Sequence, residues 1–205
     1  MPGAMRSCWS CEAQVPEGAE YCPACGHSQT DHSTRPLFVI DATTGLFNAV
    51  FIQAIVEQEH NRAVRYHRPL SVLVVEVDHA EHIHRDLGVT QIHALLRELA
   101  EVLGHAIRDT DTLGYLGGDG PPRFAVVLPE TDHEGALTSA DKVRRTVASH
   151  DFQAGLQWQR LTVSCGASTV NSDRIGHQDL LKAAAAALDE GQLHGPTRTH
   201  ASLHF

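Results

Sequence analysis

The chain has 205 residues, 42% hydrophobic and 20% charged, with a formal net charge of −9. That length holds one domain of about 160 residues plus a small appendage, and the acidic balance argues against a surface that coats a nucleic-acid polymer. No apolar run approaches the roughly 20 residues of a membrane span, and the opening MPGAMRSCWS lacks a signal-peptide core, so no membrane is expected and a cytoplasmic location is.

Taken in order, Cys8-Trp-Ser-Cys11 and Cys22-Pro-Ala-Cys25 are two CxxC pairs with ten residues between them. Each pair sets two thiolates on one tight knuckle, and two knuckles complete the tetrahedral S4 shell that suits zinc. Two disulfides or two redox pairs are the rival readings. A reducing cytosol disfavours the first, and no βαβ pattern surrounds the pairs to support the second. A structural zinc ribbon is therefore expected over 1–28, with Cys8, Cys11, Cys22 and Cys25 as ligands. A unit this small needs the metal to fold. Its closed shell leaves no position for catalysis, so its expected role is to engage a protein partner or to act as a spacer.

The polar, turn-rich stretch from His27 to Pro36 marks a linker, assigned to 29–40, and the main domain is expected over 41–205. Phe47 to Tyr66 has the apolar spacing of an amphipathic helix. Leu70 to Val77, valine-rich and preceded by Pro69, reads as a central strand buried on both faces. Gln91 to Ile107 is a second helix. Leu113 to Leu116 and Phe124 to Leu128 read as two strands of a hairpin around the turn Gly117-Gly118-Asp119-Gly120-Pro121-Pro122. Thr138 to Ser149 is a third helix, Leu161 to Val170 a strand, Gln178 to Glu190 a fourth helix, and Ala201 to Phe205 a candidate last strand. This order describes an α+β fold, a mainly antiparallel sheet covered by helices. Cys165, in an apolar strand, reads as a small core residue.

Asp119, an acid between glycines, sits where a ligand can approach the backbone closely, although turn chemistry alone also favours these residues. Arg108 and Asp111 are three apart at a helix end and face the same way. Arg can grip a planar pair of acceptors bidentately; a local ion pair or a polar turn is the plainer reading. Fifteen histidines are scattered along the chain. His79, His82, His84 and His93 lie near one another in sequence, but spacing alone does not make three or four ligands converge.

Several ordered signatures resemble the diguanylate cyclase, or GGDEF, family over roughly Asp41 to Phe205. Asp41-Ala-Thr-Thr-Gly-Leu-Phe-Asn48 resembles its opening motif DxLTGLxN. Leu70 to Asp78 resembles its first core strand with a terminal acidic pair. Arg108-Asp-Thr-Asp111 resembles its RxxD inhibitory site, and Gly117-Gly118-Asp119 begins the signature nine residues after Arg108. The resemblance implies a palm-like sheet and an enzyme that joins two GTP molecules using divalent ions on acids of the first strand and the signature turn. It also implies a product site for cyclic di-GMP at Arg108 and Asp111, and compatibility with a homodimer.

On the matching positions the chain departs from that pattern. Glu76 stands where the family has a metal-binding Asp, and Asp119 keeps the signature acid, so Mg²⁺ on Glu76 and Asp119 is the candidate metal site; two solvated acids are the alternative. The signature Glu is absent, and the simplest alignment places three inserted residues between Gly120 and Phe124. Glu81 replaces a phosphate-binding Lys, His84 and His93 replace the base-reading Asn and Asp, Gln192 takes the slot nearest the last-helix Lys, and Tyr115 replaces an Arg beside the glycines. The expectation is a catalytically impaired GGDEF signalling protein that receives cyclic di-GMP through Arg108 and Asp111. The alternatives are a divergent cyclase working through Glu76 and Asp119, and a ligand-free interaction scaffold.

Overall fold

A computed structural model describes residues 5–8, 14–16, 18–22, 29, 39–81, 87–117, 121–154, 157–170, 177–192 and 199–204. The chain divides into two units, Met1–Phe38 and Val39–Phe205. In the first, β1 (Met5–Ser7) and β2 (Gln14–Pro16) form an antiparallel pair. Val15 is buried with Cys8 and Cys22. That cluster is too small to offset chain entropy by apolar burial alone.

The second unit opens on a turn built by Asp41. Its Oδ1 accepts from the Thr43 and Thr44 amides and from the Thr44 hydroxyl. Gly45 takes a left-handed φ of 72°, which costs glycine nothing. The chain then enters β3 (Phe47–Asn48), and the Asn48 side chain accepts from the Phe51 amide to cap α1 (Ala49–Tyr66). The remaining elements are β4 (Leu70–Val77), α2 (Val89–Ala106), β5 (Thr112–Tyr115), β6 (Arg123–Pro129), α3 (His133–Ser149), β7 (Asp151–Ala154), β8 (Gln157–Arg160), β9 (Val163–Val170), α4 (His177–Gln192) and β10 (Thr199–His204).

Six strands form the main sheet in the order β10-β9-β4-β6-β5-β3. The pairs β4–β9, β4–β6 and β5–β6 are antiparallel, and only the outer pairs β3–β5 and β9–β10 are parallel. The expected mainly antiparallel sheet under helices is therefore present. All eight residues of β4 are buried, as a strand covered on both faces requires. Its alternation sends Leu73, Val75 and Val77 into a core with α2 and α3. It sends Leu70, Val72 and Val74 into a core with α1 and α4. Glu76 has the parity of the second set, so it emerges on the α4 side.

Three features differ from the sequence expectations. Phe47 and Asn48 form a short parallel strand before α1 instead of its first turn. α3 begins at His133, earlier than expected, because Asp132 accepts from the Gly135 amide and caps it there. A β7–β8 hairpin lies between α3 and β9, where no strand was expected. Cys165 is fully buried in the core, as its apolar strand implied. Burial pushes its thiol pKa up to about 12.

Candidate functional site

Strands β5 and β6 flank the double-glycine sequence as a hairpin. Its strands pair antiparallel from Thr112↔Val127 to Tyr115↔Phe124, and the Leu116 amide still donates to the Arg123 carbonyl at 2.9 Å. Gly117 has a φ of 63°. Asp119 lies outside the described residues. Tyr115 packs its ring on Phe124, centroids 5.2 Å apart. Burial, and then the Asp41 carboxylate, raise its phenol pKa. The ring is thus held against the core.

β4 runs antiparallel beside β6, and the register sets Glu76 directly across from Arg123. The Glu76 side chain is only 7% exposed, and a carboxylate that dry requires compensation. Arg123 Nε donates to Oε2 at 2.5 Å, and Gln192 Nε2, from the last residue of α4, donates to Oε1 at 2.6 Å. Arg123 Nη2 donates to Asp189 Oδ1 at 2.6 Å. One guanidinium therefore ties β4, β6 and α4 together. Burial on its own would lower the Arg123 pKa, but hydrogen bonds and Coulomb attraction to Glu76 and Asp189 outweigh it and raise it.

The second acid of the strand end behaves differently. Asp78 Oδ2 accepts from the Thr162 hydroxyl and Oδ1 from the Ser164 hydroxyl, each at 2.7 Å, which fastens β4 to the start of β9. A cleft of about 230 Å³ opens beside these acids, lined by Glu76, Asp78, His79, Glu81 and Gln192 among others. Its described lining includes no Lys or Arg.

At the position expected to share Mg²⁺ with Asp119, the Glu76 carboxylate is engaged by the chain itself. Both Glu76 oxygens already accept N–H donors, and a cationic group sits in hydrogen-bonding contact with Oε2. A divalent ion there would meet a like charge and would have to displace those donors, so Glu76 in this arrangement does not fit Mg²⁺. Sequence reasoning placed Arg123 only in an insertion and did not see this pair. The cation immediately before Phe124 was the available signal. Among the described residues no group of three or more His, Cys, Asp or Glu side chains is arranged to hold a metal. His79 and His93 are exposed, and His82 and His84 lie outside the described residues.

Arg108 and Asp111 lie at the opposite end of the hairpin strands, between α2 and β5. Asp111 Oδ2 accepts from the Arg108 backbone amide at 2.9 Å, so the acid caps the local turn. Asp111 Oδ1 is buried with no hydrogen-bond partner among the described residues. The Arg108 side chain is exposed and makes no ion pair among them. A larger cleft, about 320 Å³, opens between the end of α1 and the β4 and β6 termini. Its charges are paired internally, Arg62 with Glu59 and Arg68 with Glu130.

In the N-terminal unit, Cys8 and Cys22 are each 1% exposed. Gln29 Nε2 donates to Cys8 Sγ at 3.3 Å. An N–H aimed at sulfur suits a thiolate that ligates a metal, so this part of the unit fits zinc. Cys11 and Cys25 lie outside the described residues.

Comparison with known proteins gives two family matches: "Diguanylate cyclase, GGDEF domain" over residues 38–198 and "zinc-ribbon domain" over residues 7–29. The chain is 30% identical to the response regulator PleD of Caulobacter vibrioides over 163 residues, covering 78% of this chain and 34% of PleD. It is 28% identical to the probable diguanylate cyclase DgcC of Escherichia coli, covering 78% of this chain and 42% of DgcC. The chain thus spans less than half the length of these relatives. Among solved structures, the FimX GGDEF domain from Pseudomonas aeruginosa superposes with a TM-score of 0.74 at 20% identity, over 80% of this chain and 99% of that one. The GGDEF domain of DgcB from Caulobacter crescentus, in complex with c-di-GMP, gives 0.73 at 20% identity, over 83% and 97%.

Proposed function

This chain belongs to the GGDEF diguanylate cyclase family, and from that premise we propose that it is a catalytically impaired signalling domain that receives cyclic di-GMP through Arg108 and Asp111. One observation carries the reading: Asp111 anchors the turn through one oxygen and keeps the other without a partner, beside an exposed Arg108 with no acid paired to it among the described residues. The acid is thereby spent on backbone geometry and not on neutralising the Arg. A guanidinium so placed can donate bidentately to guanine O6 and N7 or to a phosphate. The DgcB domain of the same fold is described in complex with c-di-GMP.

Impaired catalysis is supported at the other end of the hairpin. The cleft beside Glu76, Asp78 and Glu81 presents acids where a triphosphate needs cations. Glu81 is exposed there in place of a Lys. Gln192 is engaged with Glu76 and carries no charge to a phosphate. His93 lacks the carboxylate that would pair with a guanine edge. Losing several groups that act together removes far more rate than losing any one.

The N-terminal unit is a zinc ribbon by family match. In this reading Cys8, Cys11, Cys22 and Cys25 hold one zinc ion, which supplies the folding free energy of the unit, and the ribbon docks a protein partner. A homodimer is compatible with the domain, and the protein works in the cytoplasm.

Titration calorimetry with cyclic di-GMP tests the receptor role. Saturable binding is expected for the wild type and is weakened in Arg108→Ala; no heat with the wild type overturns the role in favour of a scaffold. Incubation with GTP and Mg²⁺ or Mn²⁺, followed by product chromatography, tests the impairment. Steady formation of the cyclic dinucleotide overturns it and restores the divergent cyclase working through Glu76 and Asp119.

A further inference from the structure

Arg123 is the residue just before Phe124, and the ladder between β4 and β6 sets it opposite Glu76. Its Nε donates to Glu76 at 2.5 Å, and its Nη2 donates to Asp189 at 2.6 Å. Glu76 is 7% exposed and Arg123 29%. The acid is therefore largely withdrawn from water and needs a permanent positive neighbour. We propose that Arg123 is a tethered internal cation that stands in for a divalent ion at Glu76, so that this carboxylate is held and compensated without metal.

The chemistry suits the substitution. A guanidinium stays protonated at any working pH and presents several N–H donors in one plane. It can bridge two carboxylates, as a metal ion does, without a set of oxygen ligands at short fixed distances. Here the bridged carboxylates come from a strand and a helix, Glu76 on β4 and Asp189 on α4. Gln192, one helical turn beyond Asp189, takes the remaining Glu76 oxygen at 2.6 Å. The arrangement accounts for two departures from the family pattern together. An Arg stands before Phe124, and a neutral amide stands near the end of the last helix. A Lys in place of Gln192 would add a second cation to an acid already neutralised.

The inference shares the impaired reading of the acidic cleft and is independent of dinucleotide binding, because Arg108 and Asp111 lie at the other end of the strands. The experiment is a Mn²⁺ titration of the full zinc-loaded chain, followed by electron paramagnetic resonance of the free ion. The wild type is expected to show no saturable site that depends on Glu76. Arg123→Ala is expected to gain one, with Mn²⁺ affinity raised at least about tenfold, and Arg123→Ala combined with Glu76→Gln to lose it again. Arg123→Gln, which can still hydrogen-bond Glu76 without a charge, serves as the second variant if circular dichroism shows Arg123→Ala unfolded. Saturable wild-type binding abolished by Glu76→Gln alone overturns the proposal, and so does a folded Arg123 variant with no gain. Cyclic di-GMP titration of the same variants is expected to match the wild type. A failed manganese result with intact dinucleotide binding therefore removes this inference and leaves the receptor reading standing.

Discussion

Glu76 and Arg123 are partners across the β4–β6 ladder, joined by a 2.5 Å hydrogen bond between groups of opposite charge. Removing the cation leaves a carboxylate that is nearly dry. Arg123→Ala is expected to lower stability by about 2–3 kcal/mol, near the low end for breaking a buried pair because the guanidinium retains some water. Glu76→Gln costs less, since the neutral amide no longer needs a counter-charge. Urea unfolding of both variants measures the difference, and an unchanged midpoint for Arg123→Ala would mean the pair contributes nothing.

The helix that supplies Asp189 and Gln192 can approach the sheet only because β9 has no side chain at Gly166. A Cβ there would fall 2.1 Å from the Ala184 carbonyl oxygen and 2.5 Å from the Leu188 nitrogen, both backbone atoms that cannot step aside. Gly166→Ala is expected to destabilise the fold by about 1–3 kcal/mol through overpacking. It should also loosen the grip of α4 on Glu76, and thermal denaturation together with the Mn²⁺ titration reads both effects.

At Arg108 the expected loss is one of binding rather than folding, since the side chain is exposed. Arg108→Ala should weaken cyclic di-GMP binding by about 1–3 kcal/mol, the worth of a bidentate contact to guanine, with an unaltered melting temperature. Asp111→Ala should do more damage, because it removes the acceptor of the Arg108 amide and disturbs the turn itself. Calorimetry and melting on the pair of variants separate the ligand contact from the turn.

Cys165 gives a pH prediction. Its thiol, ordinarily at 9.0, is pushed up to about 12 by burial. Above pH 9 the unfolded chain loses this proton while the folded chain keeps it. The stability is full below the unfolded pKa and falls as pH rises toward the folded one, by at most about 1.4 kcal/mol per unit. Cys165→Ala should flatten that alkaline slope. Denaturant midpoints at several pH values for wild type and variant check it, and parallel slopes would contradict it.

Chelation of zinc addresses the N-terminal unit. Metal analysis should find about one zinc per chain in protein purified under reducing conditions, as a single S4 shell predicts. Stripping it should abolish the ordered packing of Cys8, Val15 and Cys22 while the 39–205 unit keeps its melting transition. Loss of both transitions on chelation would refute independent folding.

Local chemistry in the sequence determined most of the elements. The valine-rich run LSVLVVEV specifies the central strand β4, the CxxC spacing the ribbon, and the double-glycine turn the β5–β6 hairpin, because periodicity and turn residues act over a few positions. Short or weakly apolar elements escaped. β3 has two residues, too few for a period to show, and in β7–β8 Phe152 is the large side chain buried among the described residues, while Trp158 is exposed. Asp132, the cap that starts α3, is a local polar signal that lies outside the helix's apolar spacing.

The meeting of Glu76 with Arg123 and Gln192 was a matter for the tertiary structure alone. The partners are 47 and 116 positions away along the chain, and no propensity acts over that span. Ladder register brought the first to Glu76, and the close seating of α4 over Gly166 brought the second. A sequence names the acids at a strand end. Whether an acid faces water, a metal ion or the chain's own guanidinium depends on how separate elements pack.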